Sequence, residues 1–141
     1  MKSRTLLSGA FAAMLSIGGA LAQTTSYKVT LKGSEEVPPN DSKGTGTADL
    51  TYDDKTKLLK WKITYSGLTG PATAAHIHGP ASPGQNGPVA IGFEKADSPI
   101  EGSKALTDAQ AADLKAGKLY INIHTAQNKG GEIRGQITGG K

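Results

Sequence analysis

Three histidines are the residues of this sequence best suited to metal chemistry, and two of them are separated by a single residue. His76 and His78 flank Ile77 in a stretch that favours a β-strand. Alternate residues of a strand point to the same face, so the two imidazoles project together from Cα atoms roughly 6.5 to 7 Å apart. Two imidazoles at that spacing can share one metal ion, whereas Ile77 is expected to face the core.

The third histidine, His124, is predicted to lie on an outward face as well. Its strand has an alternating apolar row that defines the buried side: Leu119, Ile121 and Ile123. The residues between them must point the opposite way: Tyr120, Asn122 and His124. We therefore predict a three-histidine metal site at His76, His78 and His124. The alternative is that all three histidines are ordinary polar surface residues.

The strand predicted to pair with the His124 strand adds polar residues to the same face. Ile133 and Ile137 are expected in the core, which leaves Glu132, Arg134 and Gln136 outward. We expect Arg134, Glu132 and Asn122 to act in the second coordination shell or, for Arg134, in guiding anions. Ion pairing between Arg134 and an acid, or plain surface roles, are the alternatives.

The composition excludes several other kinds of site. The chain has no cysteine, so disulfides, thiolate ligands and cysteine nucleophiles are excluded. Its only methionines, Met1 and Met14, precede the predicted domain, so any metal site must use nitrogen and oxygen. No catalytic serine elbow, paired acidic pattern or phosphate loop is present. The lysines are dispersed without interleaved aromatic residues, which argues against nucleic-acid binding.

The first 22 residues are predicted to be an export signal, with Lys2 and Arg4 before an apolar stretch and Ala20-Leu21-Ala22 as a cleavage site. Residues 23–141 are then one domain of a secreted or periplasmic protein. We expect no membrane span in this domain.

Residues 23–141 follow the period-two alternation of half-buried strands, separated by turn residues. The predicted strands are a first strand around residues 27–31, then 44–52, 57–65, 73–78, 89–94, 100–105, 118–125 and 132–138. Only residues 107–115 favour a helix, capped by Thr107 and ended by Gly117. The pattern predicts an all-β, antiparallel two-sheet sandwich with one short connecting helix.

Several motifs in this order closely resemble the CHRD domain, a family named after chordin and found in many exported microbial proteins. They are Leu31-Lys32-Gly33-Ser34-Glu35-Glu36-Val37-Pro38-Pro39, Ala74-Ala75-His76-Ile77-His78-Gly79-Pro80-Ala81, Asn86-Gly87-Pro88-Val89, Tyr120-Ile121-Asn122-Ile123-His124-Thr125 and Gly130-Gly131-Glu132-Ile133-Arg134-Gly135-Gln136-Ile137. The resemblance covers essentially all of residues 23–141 and implies a β-sandwich, which we expect to be immunoglobulin-like or superoxide-dismutase-like.

The order His-x-His, a later histidine and Gly-x-x-Arg is also distantly similar to copper-zinc superoxide dismutase. That similarity implies three copper-binding histidines at His76, His78 and His124, and an anion-guiding arginine at Arg134. The chain lacks a bridging histidine, the zinc-loop ligands and the disulfide cysteines of that enzyme. The similarity thus favours copper over zinc without implying dismutase activity.

Three functions follow from the sequence. The first is metal binding at the three histidines, with copper preferred by the similarity and by the general affinity order. The second is a metal-free adhesive domain that binds an extracytoplasmic protein through residues 35–41 or 79–88. The third is a redox enzyme acting on superoxide, which we rank last.

Overall fold

The computed structural model describes residues 23–141, so the predicted export signal at residues 1–22 lies outside the described part. The described residues form eight strands and one helix: β1 Thr24–Lys32, β2 Thr45–Asp53, β3 Leu58–Ser66, β4 Ala72–His78, β5 Val89–Gly92, β6 Ile100–Ala105, α1 Asp108–Lys115, β7 Tyr120–Thr125 and β8 Ile133–Gln136. A 3₁₀ turn spans Gly33–Glu35. Within residues 23–141, no helix has the length and apolar character needed to cross a membrane.

All eight strands belong to one antiparallel sheet, in the order β5-β4-β7-β8-β1-β2-β3-β6. The predicted antiparallel all-β class with a single short helix is confirmed. The predicted division into two sheets is not confirmed, because β1 pairs with β2 along its whole length and also pairs with β8 at Lys32 and Arg134. This narrow link makes the two four-stranded halves one continuous curled sheet.

The core follows the alternation seen in the sequence. In β3, Leu59, Trp61 and Ile63 are buried while the intervening lysines are exposed, and in β4 Ile77 is fully buried. A single cluster of buried apolar residues takes side chains from both halves of the sheet. Burying apolar surface at about 25 cal/mol per Å² is the main driving force for this arrangement.

Helix α1 is held by the predicted cap. Thr107 Oγ1 accepts a hydrogen bond from the Gln110 backbone N–H, and the Gln110 side chain accepts one from the Thr107 backbone N–H. This reciprocal pair satisfies two N–H groups that the first turn would otherwise leave unbonded. Leu114 then anchors the helix in the core.

Much of the face of β7 and β8 opposite the core is covered. Asn122, Glu132 and Arg134 have the predicted orientation, yet each is at most 2% exposed. The segments that follow β1 and β4 supply their partners: Glu36 and Ser42 from the first, Gln85 and Asn86 from the second. The predicted polar face is therefore a buried polar layer beneath two loops.

Candidate metal centre

The pairing of β4 with β7 brings the three histidines together. His76 lies opposite Asn122, Ala74 opposite His124, and His78 opposite Tyr120. Residues opposite each other in an antiparallel pair share a face, so the three rings converge on one side of the sheet. One ring nitrogen of each histidine lies within 4.8 Å of the corresponding nitrogen of the other two. The predicted three-histidine cluster is thus present in the structure.

Two backbone carbonyls orient the rings of His78 and His124. His78 Nδ1 lies 3.0 Å from the Gly87 carbonyl, and His124 Nδ1 lies 2.8 Å from the Lys129 carbonyl. A carbonyl oxygen only accepts, so each Nδ1 carries a proton and each Nε2 of the neutral ring keeps a lone pair. A second-shell bond of this kind sets the ligating nitrogen in metal sites.

The remaining nitrogens face one another inside the cluster. His76 Nδ1 lies 3.1 Å from His124 Nε2, and His78 Nε2 is buried with no hydrogen-bond partner among residues 23–141. A buried nitrogen without a partner is unfavourable unless another group binds it. A metal ion would satisfy the His78 nitrogen and replace the proton between His76 and His124.

The electrostatic environment favours neutral rings. Burial lowers the pKa of His76, and the neighbouring His124 and His78 lower it further. Burial likewise lowers the pKa of His78, whereas the hydrogen bond to the Gly87 carbonyl acts to raise it. Neutral imidazoles are the form that ligates metals, so both rings are ready to bind at neutral pH.

Tyr120 and Arg134 pack behind His78. The Tyr120 ring is stacked on the His78 imidazole, with centroids 5.0 Å apart and an interplanar angle of 3°. The Arg134 guanidinium carbon lies 3.5 Å from the Tyr120 ring centroid, and its nitrogens donate to Asn86 Oδ1 and to the Gln85 carbonyl. Buried in this way, Arg134 supports His78 through Tyr120 and is not at a surface where it could attract anions.

Asn122 contacts an acid that the sequence analysis did not select. Asn122 Nδ2 donates to Glu36 Oε1 and also to the Ile133 carbonyl. Burial raises the pKa of Glu36 to about 7, although Arg134 and Asn122 act to lower it. Gly131 is required beside them, because its φ of +127° suits glycine and a Cβ there would overlap with both side chains.

Glu132 belongs to a separate buried network. Its carboxylate accepts hydrogen bonds from Ser42 Oγ, Thr125 Oγ1, Asn128 Nδ2 and both the hydroxyl and backbone N–H of Thr69. Burial raises its pKa, but these bonds outweigh burial and lower the pKa to about 2. Glu132 makes no hydrogen bond to the three histidines, so it fixes the surrounding loops instead.

The cluster is accessible from one side. A shallow cleft of about 410 Å³ adjoins His76 and His124, with Thr73, Ala126 and Lys129 on its rim. His76 and His124 are only partly buried. A bound metal ion could therefore take a water molecule or an external ligand from this side.

Sequence reasoning missed Tyr120 and Glu36 as parts of the site. Tyr120 shares the outward row of β7 with His124, so its position was predictable but its stacking on His78 was not. Glu36 lies in the Glu-Glu-Val-Pro-Pro stretch, where only the structure distinguishes the buried Glu36 from the exposed Glu35.

Comparison with known proteins supports the motif analysis. The CHRD domain family matches residues 27–137. Chordin of Xenopus laevis is 30% identical over 128 residues, which cover 84% of this chain but only 14% of that protein. The chain thus spans about one seventh of the length of this relative. No solved structure matches significantly.

Proposed function

The chain belongs to the CHRD domain family, and we propose that it binds one divalent metal ion, Cu(II) by preference, through His76, His78 and His124. The observation that carries this proposal is the convergence of one nitrogen from each ring to within 4.8 Å. Three imidazoles gathered around one point are a common protein ligand set for copper or zinc.

The surroundings of the rings support the same function. Carbonyls of Gly87 and Lys129 hold the Nδ1 atoms of His78 and His124, which leaves both Nε2 atoms free to ligate. The orphaned Nε2 of His78 gains a partner when the metal binds. The cleft beside His76 and His124 leaves room for a water molecule in the fourth position.

The choice of copper rests on the donor set and on the distant similarity to superoxide dismutase. Cu(II) binds nitrogen sites more tightly than Zn(II) in the general affinity order. The domain has no sulfur ligand that would favour Cu(I). Zinc is the weaker expectation for the same site.

The decisive experiment is competitive titration of untagged protein with Cu(II) and with Zn(II). A His76→Ala/His124→Ala double variant removes two ligands, and Thr73→Ala is the matched control because Thr73 is exposed on β4 beside the cluster. We expect wild type and Thr73→Ala to bind one equivalent with nitrogen hyperfine coupling in the Cu(II) EPR spectrum. Equal, weak binding by wild type and the double variant would exclude the site.

The relationship to chordin supports a second candidate, a protein-binding surface formed by the loops at residues 35–41 and 79–88. Asn86 Nδ2 donates to the Val37 carbonyl at 3.1 Å, so the loops form one joined surface. Loops held on a rigid sheet are frequent binding sites. Capture of partners from the extracytoplasmic proteome, with each loop replaced in turn, tests this; unchanged recovery after both replacements would reject it.

We also propose that residues 1–22 direct export, which would place the domain outside the cytoplasm. The charged start, apolar stretch and small residues at the cleavage site support this assignment. Mass spectrometry of protein recovered from periplasm or medium should find an N-terminus at Gln23. Recovery of the intact chain from the cytoplasm alone would contradict it.

A further inference from the structure

A groove of about 580 Å³ lies between the two ends of the curled sheet. Strands β5 and β6 are the end members of the strand order, and residues of both line the groove. The connection through residues 93–99 joins them, and Phe93 and Pro99 of this connection also line the groove. The groove is therefore bordered on two sides by the edges of one sheet.

Both bordering strands have an edge that no strand of the described chain pairs with. Six residues of β6 pair with β3, and no other backbone hydrogen bond reaches residues 100–105 within the part of the chain described. Strand β5 pairs only with β4, and the Ala90 carbonyl accepts a hydrogen bond from the Gln110 side chain. Unpaired N–H and C=O groups of an edge strand are a template for a further strand.

Apolar side chains line part of the groove, and they include the only tryptophan of the sequence. The Trp61 and Phe93 rings have centroids 5.0 Å apart, and Ile91 and Ile100 are buried beside them. Gly102 lies opposite Trp61, and a Cβ at this position would come within 2.8 Å of the indole. The missing side chain leaves the indole next to the free edge of β6.

Trp61 also carries an unused hydrogen-bond donor. The residue is 9% exposed, and its Nε1 has no hydrogen-bond partner among residues 23–141. Buried indole N–H groups usually find an acceptor. The Nε1 atom is itself shielded from solvent, so this donor lies behind the wall of the groove, and only the exposed part of the Trp61 ring can contact a ligand.

We propose that the groove binds an extended peptide segment of a partner protein, which adds as a strand to the free edge of β6. An apolar side chain of the segment packs on Trp61 and Phe93. Main-chain pairing provides the affinity in such complexes, and pockets for alternate side chains provide the selectivity. Strand β6 is long enough to pair with about five or six residues.

The charges at the rim suit a main-chain ligand better than a charged small molecule. The rim carries two acids and two bases: Glu94, Lys95, Glu101 and Lys104. Glu101 is already 3.7 Å from Lys62. No single sign dominates the rim, so neither an anion nor a cation is selected. Backbone groups and one apolar side chain remain as the recognised features.

Fluorescence of Trp61 offers a direct test, because it is the only tryptophan. The probe is a blocked seven-residue peptide of alternating threonine and valine with phenylalanine at its centre. We expect a saturable change in emission at or below roughly millimolar peptide. Two further versions of the peptide are N-methylated, one at its odd-numbered amides and the other at its even-numbered amides. Because alternate N–H groups of a strand point to opposite edges, each version loses the hydrogen-bond donors of one edge. At least one should bind tenfold or more weakly.

Several outcomes would overturn the proposal. The first is that the parent peptide gives no saturable change, and the second is that both methylated peptides bind as tightly as the parent. The third is that phenylalanine amide alone binds as tightly as the parent peptide, which would indicate a small-molecule pocket. Because N-methyl groups leave the side chains intact, the comparison separates strand pairing from apolar adsorption.

Variants of the protein provide the second arm. Phe93→Ala should weaken peptide binding at least tenfold, whereas Val89→Ala should leave it unchanged, since Val89 is exposed on β5 without lining the groove. If Phe93→Ala fails to fold, hydrogen exchange of the wild-type protein still tests whether the peptide adds to β6. The peptide should slow exchange at the β6 amides and not at those of β1, and unchanged β6 exchange would reject strand addition.

Discussion

Tyr120 is the residue that connects the histidine cluster to the buried polar layer. One face of its ring stacks on His78 and the Arg134 guanidinium lies against the ring at 3.5 Å, while its hydroxyl oxygen accepts from the Gly87 N–H at 3.0 Å. Tyr120→Leu removes the stack, so we expect Cu(II) affinity to fall about tenfold to a hundredfold, as for other second-shell changes. Competition titration measures this.

Tyr120→Phe is the control for the stacking contribution. It keeps the ring and loses only the hydroxyl bonds to Gly87. Its affinity should lie close to wild type, within a few-fold. If Tyr120→Leu also binds copper like wild type, the stack does not position His78 and the ring serves packing alone.

Glu132 is the residue on which the loop network depends. Its ionised carboxylate accepts hydrogen bonds from Ser42, Thr69, Thr125 and Asn128. Glu132→Gln places an amide N–H against these donors, so we expect a loss of about 2 kcal/mol or more in the free energy of unfolding. Urea denaturation measures the loss. Glu101→Gln, at an exposed acid, should change stability little, and similar losses for both variants would contradict this role.

At the scale of strands, alternation predicted the face on which each histidine lies, whereas the pairing of β4 with β7 that brings the three rings together comes from the structure. Ile77 and the row of Leu119, Ile121 and Ile123 are buried as expected, which fixes the side on which the histidines lie. The pattern could not reveal that loops cover this side. Contacts such as those of Arg134 with Gln85 and Asn86 join residues almost 50 positions apart, and local periodicity contains no information about them.

The two loops over the polar layer are predicted to be held together by Asn86. Its side chain accepts from Arg134 at 2.9 Å and donates to the Val37 carbonyl at 3.1 Å. Asn86→Ala removes both bonds, so we expect a loss of about 1 to 2 kcal/mol and faster proteolysis within residues 79–88. Gln85→Ala is the matched control, because Gln85 contacts Arg134 only through its backbone carbonyl. Equal cleavage rates for the two variants would show that the Asn86 side chain does not hold the two loops together.

For the whole molecule, composition and turn spacing predicted an all-β domain but not the connection between its halves. That connection depends on the pairing of Lys32 with Arg134, a contact between residues at opposite ends of the domain. Strand order depends on such long-range pairing, which a single sequence does not encode in its local pattern. Strands such as β2 and β3 were predictable because their residues alternate between buried and exposed, and the short helix was predictable because its cap is local.

The stability of the whole domain is expected to depend on pH through Glu36. Its pKa is raised from 4.5 to about 7, so the folded state binds more protons than the unfolded state between these values. The stability that Glu36 contributes is therefore greatest below pH 4.5 and falls as the pH rises through 7, by about 3 kcal/mol in full. Glu132 has the opposite effect. Its pKa is lowered from 4.5 to about 2, so its ionised carboxylate stabilises the fold above pH 4.5, and this contribution is lost as the pH falls towards 2.

The pKa values of His76 and His78 are lowered, so these two residues stabilise the fold as the pH rises through their range. The contribution of Glu36 must therefore be measured as the difference in stability between wild type and a Glu36 variant at each pH. We expect the stability of wild type relative to Glu36→Gln to decline between pH 4.5 and 8, measured by urea denaturation with a chelator present. Glu35→Gln is the matched control, because it makes the same replacement at the exposed neighbouring acid. Parallel curves for wild type and Glu36→Gln would show that the buried carboxyl keeps an ordinary pKa, because a group that titrates alike in the folded and unfolded states cannot change stability with pH.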